Sequence, residues 1–298
     1  MKTSNKNYRA KKSLGQNFLK SNLALKKIIE AGEIKFGDII LEIGPGKGAL
    51  TEKLLEKVHP AVAGQGFVIA VEKDRELIEI LKEKFSEQIK LGSLVLVHDD
   101  ILELDIKKYS KNSKELRYKI IANIPYNITG AILKKFLTEE NQPERMILMV
   151  QREVAQRIMG RPRNDGASKK ESLLSISVKA YGEPKLVMKV PARYFSPAPK
   201  VDSAVIVIKN ISRKIFETPP QPSPKGRDKF ESSPLKGDTE GLNEEKFWKI
   251  VKAGFAHKRK KLVSNLKNVI FHKNAHLKNF GDKRAEDLSL LEWITLIR

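Results

Sequence analysis

Short apolar runs alternate with stretches of helical spacing through the first half of this chain, and no other feature narrows its fold as much. Residues 39–43 (IILEI), 67–72 (FVIAVE), 94–100 (LVLVHDD), 118–123 (YKIIAN) and 146–151 (MILMVQ) each read as a strand. Residues 49–58 and 74–85 repeat their apolar positions with the period of a helix. Near-continuous apolar strands separated by helices predict a parallel sheet covered on both faces. Further on, 174–182 (LSISVKAYG) and 185–190 (KLVMKV) read as extended, antiparallel additions, and 203–208 (SAVIVI) as another strand. The first domain is therefore expected to span residues 1–209.

The composition changes after that point. Residues 213–243 are rich in proline, serine, glycine and charge, which buries little, so 210–243 is expected to be a flexible linker or insertion. Helical periodicity returns with Phe247, Ile250, Val251 and Phe255 and continues through Leu262, Leu266, Val269 and Ile270. Together with AEDLSLLEWITLI, these residues predict a small all-helical domain over 244–298. No run reaches the ~18 apolar residues of a membrane span. The basic N-terminal segment has no apolar stretch of the kind a signal peptide needs. A cytoplasmic location is the expectation, with no membrane partner.

With no cysteine in 298 residues, disulfides, thiolate chemistry, iron–sulfur clusters and cysteine zinc sites are excluded. The five histidines are scattered, so no metal site is expected. A net charge of +21 points to a polyanionic partner, nucleic acid before an anionic membrane. The charge is concentrated: residues 1–30 hold eight basic residues against one acid, and 246–273 hold nine and no acid.

LEIGPGKG (41–48) follows the first strand and opens a helix. Gly44, Gly46 and Gly48 allow a tight turn and close approach of a ligand. The third glycine comes one position too early for a dinucleotide fingerprint, and Gly48 stands where a P-loop needs Ser or Thr. With Glu42 inside the motif, the turn suits a neutral or cationic adenosine ligand better than a phosphate. Glu72 ends the second strand and can accept from both hydroxyls of a ribose. Asp100 ends the third strand and can accept from an adenine amino group. NIPYNI (123–128) then follows the fourth strand. Asn123 offers a side-chain carbonyl, Pro125 stiffens the turn, and Tyr126 offers a flat face. Carbonyl acceptors beside an aromatic face suit a planar amine such as adenine N6. Alkylating that nitrogen needs positioning and electrostatics more than a strong base.

This ordered set of motifs resembles the S-adenosylmethionine-dependent ribosomal RNA adenine N6,N6-dimethyltransferases, nearest the small-subunit (RsmA/KsgA) branch. The resemblance spans about residues 8–298. It rests on GQNFL (15–19), LEIGPGKGALT (41–51), AVEKD (70–74), DDIL (99–102), ANIPYNI (122–128), VQREVAQR (150–157), FSPAPKVDSAV (195–205) and KAGFAHKRKKLVSNL (252–266). It implies a Rossmann-like class I methyltransferase fold with a mixed, mostly parallel sheet, plus the helical C-terminal domain as an RNA-binding unit. Asn17, Leu19, Gly44, Glu72, Asp100 and Asn123 would form the cofactor site. Asn123 and Tyr126 would receive the target base, with Phe195 pressing on its other face after base flipping. The implied reaction is dimethylation of two adjacent adenosines in the 3′-terminal hairpin of small-subunit rRNA, in 30S particles, by a monomer with no stable protein partner.

The chain departs from the family pattern at Ser21, where the family usually has Asp, and over 161–173. Basic residues within 2–27, with Arg152, Arg157, Arg161, Arg163, Lys169, Lys170 and the 258–261 cluster, are expected to contact RNA phosphates. Two alternatives stay open. One is a large-subunit adenine methyltransferase of the macrolide-resistance class; the other is a non-catalytic ribosome-assembly factor that kept the fold.

Overall fold

The apolar runs pair into one seven-stranded sheet. The computed structural model describes residues 8–58, 66–109, 116–162, 169–217, 242–269 and 275–298. The strands are β1 (Ile39–Ile43), β2 (Phe67–Glu72), β3 (Leu94–His98), β4 (Tyr118–Asn123), β5 (Arg145–Gln151), β6 (Glu183–Val190) and β7 (Ser203–Lys209). Their order is 3-2-1-4-5-7-6. The first five are mutually parallel, while β7 runs antiparallel to both β5 and β6. Ile40, Leu41, Val68, Ile69, Ile120, Ile121, Ile147 and Leu148 are all buried, as strands covered on both faces require.

The strand order reverses between β1 and β4, and the two strands part there. Their pairing runs only from Ile39↔Tyr118 to Leu41↔Ile120, although β1 continues to Ile43 and β4 to Asn123. Both strand ends are thus freed to line a crevice, the position at which open α/β sheets bind ligands.

Helices α1 (Asn22–Gly32), α2 (Ala49–Leu55), α3 (Arg75–Lys84), α4 (Thr129–Thr138) and α5 (Arg152–Met159) accompany the sheet. Ser21 caps α1 by accepting from the Ala24 N–H. Serine and aspartate cap helices by the same bond, so the departure at this position leaves the local structure intact. A two-stranded ribbon pairs Leu19 with Phe195 and Phe18 with Ser196, which ties the N-terminal segment to the chain just ahead of β7.

The segment 174–182 is not extended. Leu173–Lys179 forms helix α6. Its alternating Leu174, Ile176 and Val178 imitate a strand. The turn at its start decides the matter: Ser172 and Ser175 bond each other's backbone N–H in a reciprocal cap.

The chain divides into two compact units, Met1–Met159 with Gly182–Ile211, and Gly160–Tyr181 with Ser212–Arg298. The expected boundary at 209 therefore needs correction, because Gly160–Tyr181 belongs with the C-terminal helices. Local bonds account for this. The Glu171 N–H donates to the Glu286 carbonyl at 2.7 Å, and Lys170 pairs with Glu286 at 2.6 Å. The Tyr181 hydroxyl bonds Glu244 and accepts from Trp248 Nε1, whose indole stacks on the Tyr181 ring at 6.1 Å. The C-terminal helices are α7 (Glu244–Gly254), α8 (Leu262–Leu266), α9 (Ala275–Phe280) and α10 (Leu290–Ile297), and Trp293 of α10 is fully buried beside Phe255. Most of the expected linker, 218–241, lies outside the described residues.

Gly48, at φ 78°, joins the glycine turn to α2, and a Cβ there would lie 2.5 Å from the Phe85 ring and 2.9 Å from Leu81. Gly48→Ala is expected to cost about 2–4 kcal/mol of stability through backbone strain and overpacking, read by urea denaturation.

Candidate active site

The crevice between β1 and β4 opens into a cavity of about 420 Å³. Seven of the residues expected at the site contribute to its lining: Asn17, Leu19, Gly44, Glu72, Asp100, Asn123 and Tyr126. They come from the ends of four strands and from the N-terminal segment, so the fold converges positions far apart in sequence. Phe195 differs. Its side chain is 2% exposed and belongs to the hydrophobic core, while its neighbour Ser196 reaches the cavity wall. The structure therefore makes Phe195 a core aromatic where the resemblance implied a face of the base pocket. Pairing with Leu19 holds it there.

The glycine turn is shaped from two sides. Gly44 has φ 66°, and a Cβ there would meet only Pro125, at 3.8 Å, so the space beside it is open. Gly46 has φ 59° and lies against the Phe18 ring, which a Cβ would approach to 2.9 Å. Glu72 braces the turn: its Oε2 accepts from the Gly46 N–H at 3.1 Å and its Oε1 from the Asp74 N–H at 2.9 Å. Burial raises the Glu72 pKa, and those two donors oppose the shift.

Glu42 lies deeper. It is 1% exposed, and its Oε2 has no hydrogen-bond partner among the described residues. Burial pushes its pKa from 4.5 up to about 8, with Glu72 adding a smaller repulsion. An uncharged acid facing a cavity is poised to ionise when a cation arrives. This orphaned oxygen, the open space at Gly44 and the braced carboxylate of Glu72 together fit a cationic adenosine cofactor. Among the described residues no cluster of His, Cys, Asp or Glu could hold a metal ion.

Asp100 is held in place before any ligand binds. Its Oδ2 accepts from Lys73 Nζ at 2.7 Å and its Oδ1 from the Leu102 N–H at 3.0 Å. Lys73 and that N–H keep the carboxyl below its ordinary pKa. Asn123 is likewise oriented: its Nδ2 donates to the Asn17 carbonyl at 3.2 Å. Its amide oxygen is then the group that can accept. The carbonyls of Pro125 and Tyr126 already accept from the Ile128 N–H and the Thr129 hydroxyl. The Tyr126 hydroxyl lies 2.5 Å from Ser203 Oγ.

Sequence reasoning did not single out Tyr8, Gln16 and Asp74, yet they fasten the N-terminal wall of the cavity. Asp74, 3% exposed, caps α3 through the Glu76 N–H and also accepts from Gln16 Nε2 at 3.0 Å and Lys11 Nζ at 2.9 Å. The Tyr8 hydroxyl lies 2.5 Å from its Oδ2. Burial alone would raise the Asp74 pKa, but these donors outweigh it and hold the carboxyl at about 2. The available signal was Asp74 standing at a strand-to-helix junction, where a capping acid is common.

Of the expected RNA-contacting cations, Lys11, Lys26, Lys27, Arg152, Lys170 and Lys261 are in ion pairs, and Lys2, Lys6 and Arg163 fall outside the described residues. Lys258, Arg259 and Lys260 are exposed on a turn that Asn265 pins by donating to the carbonyls of Gly254 and His257.

Two outcomes follow from these geometries. In the ligand-free protein Glu42 keeps its proton to about pH 8, whereas an unfolded chain loses it near 4.5. Unfolding thus releases a proton within that window, so the Glu42 contribution to stability falls as pH rises from 4.5 to about 8. Urea denaturation across the window should show this slope in the parent protein and a flatter profile in Glu42→Gln. Replacing Asp74 by Ala removes a helix cap and the acceptor for three side chains. The expected cost is about 2–3 kcal/mol, with faster hydrogen exchange over residues 8–19.

Known proteins resemble this chain over most of its length. A family model described as "Ribosomal RNA adenine dimethylase" matches residues 7–219. "Ribosomal RNA small subunit methyltransferase A" of Dehalococcoides mccartyi is 38% identical over 295 residues, covering 96% of this chain and 86% of the relative. The protein of the same name from Fusobacterium nucleatum is 33% identical, with 98% and 97% covered. Among solved structures, a dimethyladenosine transferase from Plasmodium falciparum superposes with a TM-score of 0.69 at 23% identity, covering 94% of this chain and 95% of its own. The 23S rRNA methyltransferase ErmE gives 0.64 at 23% identity, covering 94% and 98%. The two likenesses show the Rossmann-like fold of class I S-adenosylmethionine-dependent methyltransferases. With that fold, this cavity and these relatives, the chain belongs to the ribosomal RNA adenine dimethylase family.

Proposed function

We propose that this enzyme dimethylates the N6 amino groups of two adjacent adenosines in the 3′-terminal hairpin loop of small-subunit rRNA, within 30S particles during ribosome biogenesis. The observation that carries the proposal is the placement of Asn123. It ends β4 beside the glycine turn, with its amide nitrogen bonded to the Asn17 carbonyl. The small-subunit assignment is supported by relatives of that name at 33–38% identity over nearly the full chain.

S-adenosylmethionine supplies the electrophilic methyl group when bound. The residues present would hold it through the open turn at Gly44, the carboxylate of Glu72 towards the ribose and Asp100 towards the adenine amino group. Asn17 and Leu19 close the opposite wall, and a cationic ligand draws Glu42 towards its ionised form. The chain's part in the transfer is then acceptance and alignment. Asn123 Oδ1 accepts one N6 hydrogen, and the Ile124 carbonyl is the second acceptor in this reading, those of Pro125 and Tyr126 each already accepting within the turn. Tyr126 covers one face of the base. Two acceptors on the amine direct its lone pair out of the ring system and towards the methyl donor. The proton becomes acidic once nitrogen is alkylated, so no buried general base is needed. The first product still carries one N6 hydrogen for the second transfer.

The exposed cations Lys258, Arg259 and Lys260 are proposed to meet RNA phosphates, which position a substrate without reading its sequence. The enzyme is taken to act as a monomer in the cytoplasm.

The test is methyl transfer from labelled S-adenosylmethionine to unmethylated 30S particles, 50S particles and free rRNA in parallel, with nucleoside analysis. The expected product is N6,N6-dimethyladenosine in 30S particles only. Asn123→Ala is expected to reduce the rate by about 10²-fold or more, the scale of losing a preorganised acceptor. Label confined to large-subunit RNA would move the assignment to 23S rRNA. RNA binding without transfer to any substrate would favour an assembly factor.

A further inference from the structure

FSPAPKVDSAV points to the active site in the sequence, yet the structure buries Phe195 in the core. Ser203, eight positions later in the same motif, is the residue that reaches the catalytic turn. Its Oγ lies 2.5 Å from the Tyr126 hydroxyl, across 77 residues of sequence. Ser203 is 0% exposed and opens β7, where it pairs with Gln151 of β5 on one side and Val190 of β6 on the other. Its backbone is held between two neighbouring strands and its side chain is fully buried, so the hydroxyl has little freedom to follow a moving partner.

Tyr126 is held at its other end as well, because its carbonyl accepts from the Thr129 hydroxyl at 3.1 Å. With both ends fastened, the ring plane is set before a base arrives. Ring orientation matters because stacking on a flat base tolerates little tilt, and freezing it in advance removes an ordering cost from the reaction. The fully buried Ser203 hydroxyl also needs a partner, and the part-buried Tyr126 phenol supplies it.

We infer that Ser203 is a positioning residue for methyl transfer: it fixes the Tyr126 ring in the orientation that receives the target adenine. The inference rests on the proposed role of Tyr126 as the face on which the base stacks.

The test is a double-mutant cycle with Ser203→Ala and Tyr126→Phe, alone and combined. Rates on unmethylated 30S particles are measured at saturating S-adenosylmethionine, with the RNA KM and the cofactor affinity determined separately. Each single change is expected to lower kcat about three- to tenfold, the rate equivalent of one hydrogen bond. The double variant should be no slower than the slower single one. RNA KM and cofactor affinity should be unchanged, because phosphate contacts dominate the former and neither atom lies on the cofactor's proposed subsites. Multiplying losses in the double variant, or a loss of cofactor affinity in Ser203→Ala, would overturn the inference. Tyr126→Phe removes the same bond without touching β7, so it stands alone if Ser203→Ala does not fold; a wild-type kcat for it then sinks the idea. Tyr126→Ala separates the two levels. Full activity there defeats the base-stacking role itself. An inactive Tyr126→Ala beside fully active Ser203→Ala and Tyr126→Phe defeats only the part assigned to Ser203.

Discussion

The carboxylate of Asp74 is where the N-terminal segment, the end of β2 and the start of α3 are bound together. It is almost fully buried, and burial of an unpaired charge would be costly. Donors from Tyr8, Lys11, Gln16 and the α3 backbone stabilise it as an anion. Its own N–H is the donor that holds Glu72. One residue, through its side chain and its own N–H, therefore ties the wall formed by residues 8–19 to the acid proposed for the ribose. Without it, residues 8–16 would lose their anchor, and Phe18 would be held over Gly46 chiefly by its pairing with Ser196.

The same economy of position runs through the site. Parallel strands end at one edge, so β1, β2, β3 and β4 deliver Gly44, Glu72, Asp100 and Asn123 to a single crevice although the first and last are 79 positions apart. Each polar group is oriented by another part of the chain before a ligand is present: Asp100 by Lys73, Asn123 by the Asn17 carbonyl, Glu72 by two backbone N–H groups. Glu42 is the exception. One of its oxygens has no partner among the described residues and burial holds its pKa at about 8, which leaves its ionisation to be settled by what enters the cavity.

The sheet was legible because strands covered on both faces must be almost wholly apolar, and runs such as IILEI and FVIAVE have little other use. The strand-end acids were legible for a related reason: a carboxylate closing an apolar strand needs a partner. Helix α6 was not. Seven residues span barely two turns, too few for a 3.6-residue period to stand out from the alternation of Leu174, Ile176 and Val178. The clue lay outside the pattern, in the pair Ser172 and Ser175. Phe195 shows a different limit. A motif identifies a segment of chain, whereas the direction in which each of its side chains points depends on the pairing partner, here Leu19. Asp74 escaped notice because its value comes from three residues nearly sixty or more positions away.

The chain passes between the two compact units three times, after residues 159, 181 and 211. A C-terminal domain joined by one linker can be lost, exchanged or appended by a single break in a gene. Here such a break near residue 210 would strand Gly160–Tyr181, leaving Tyr181 without Glu244 and Trp248 and leaving Lys170 and the Glu171 N–H without Glu286. The C-terminal helices are thus woven into the methyltransferase chain rather than attached to it. A cut at residue 210 would therefore leave the first unit carrying a segment whose packing partners lie beyond the cut.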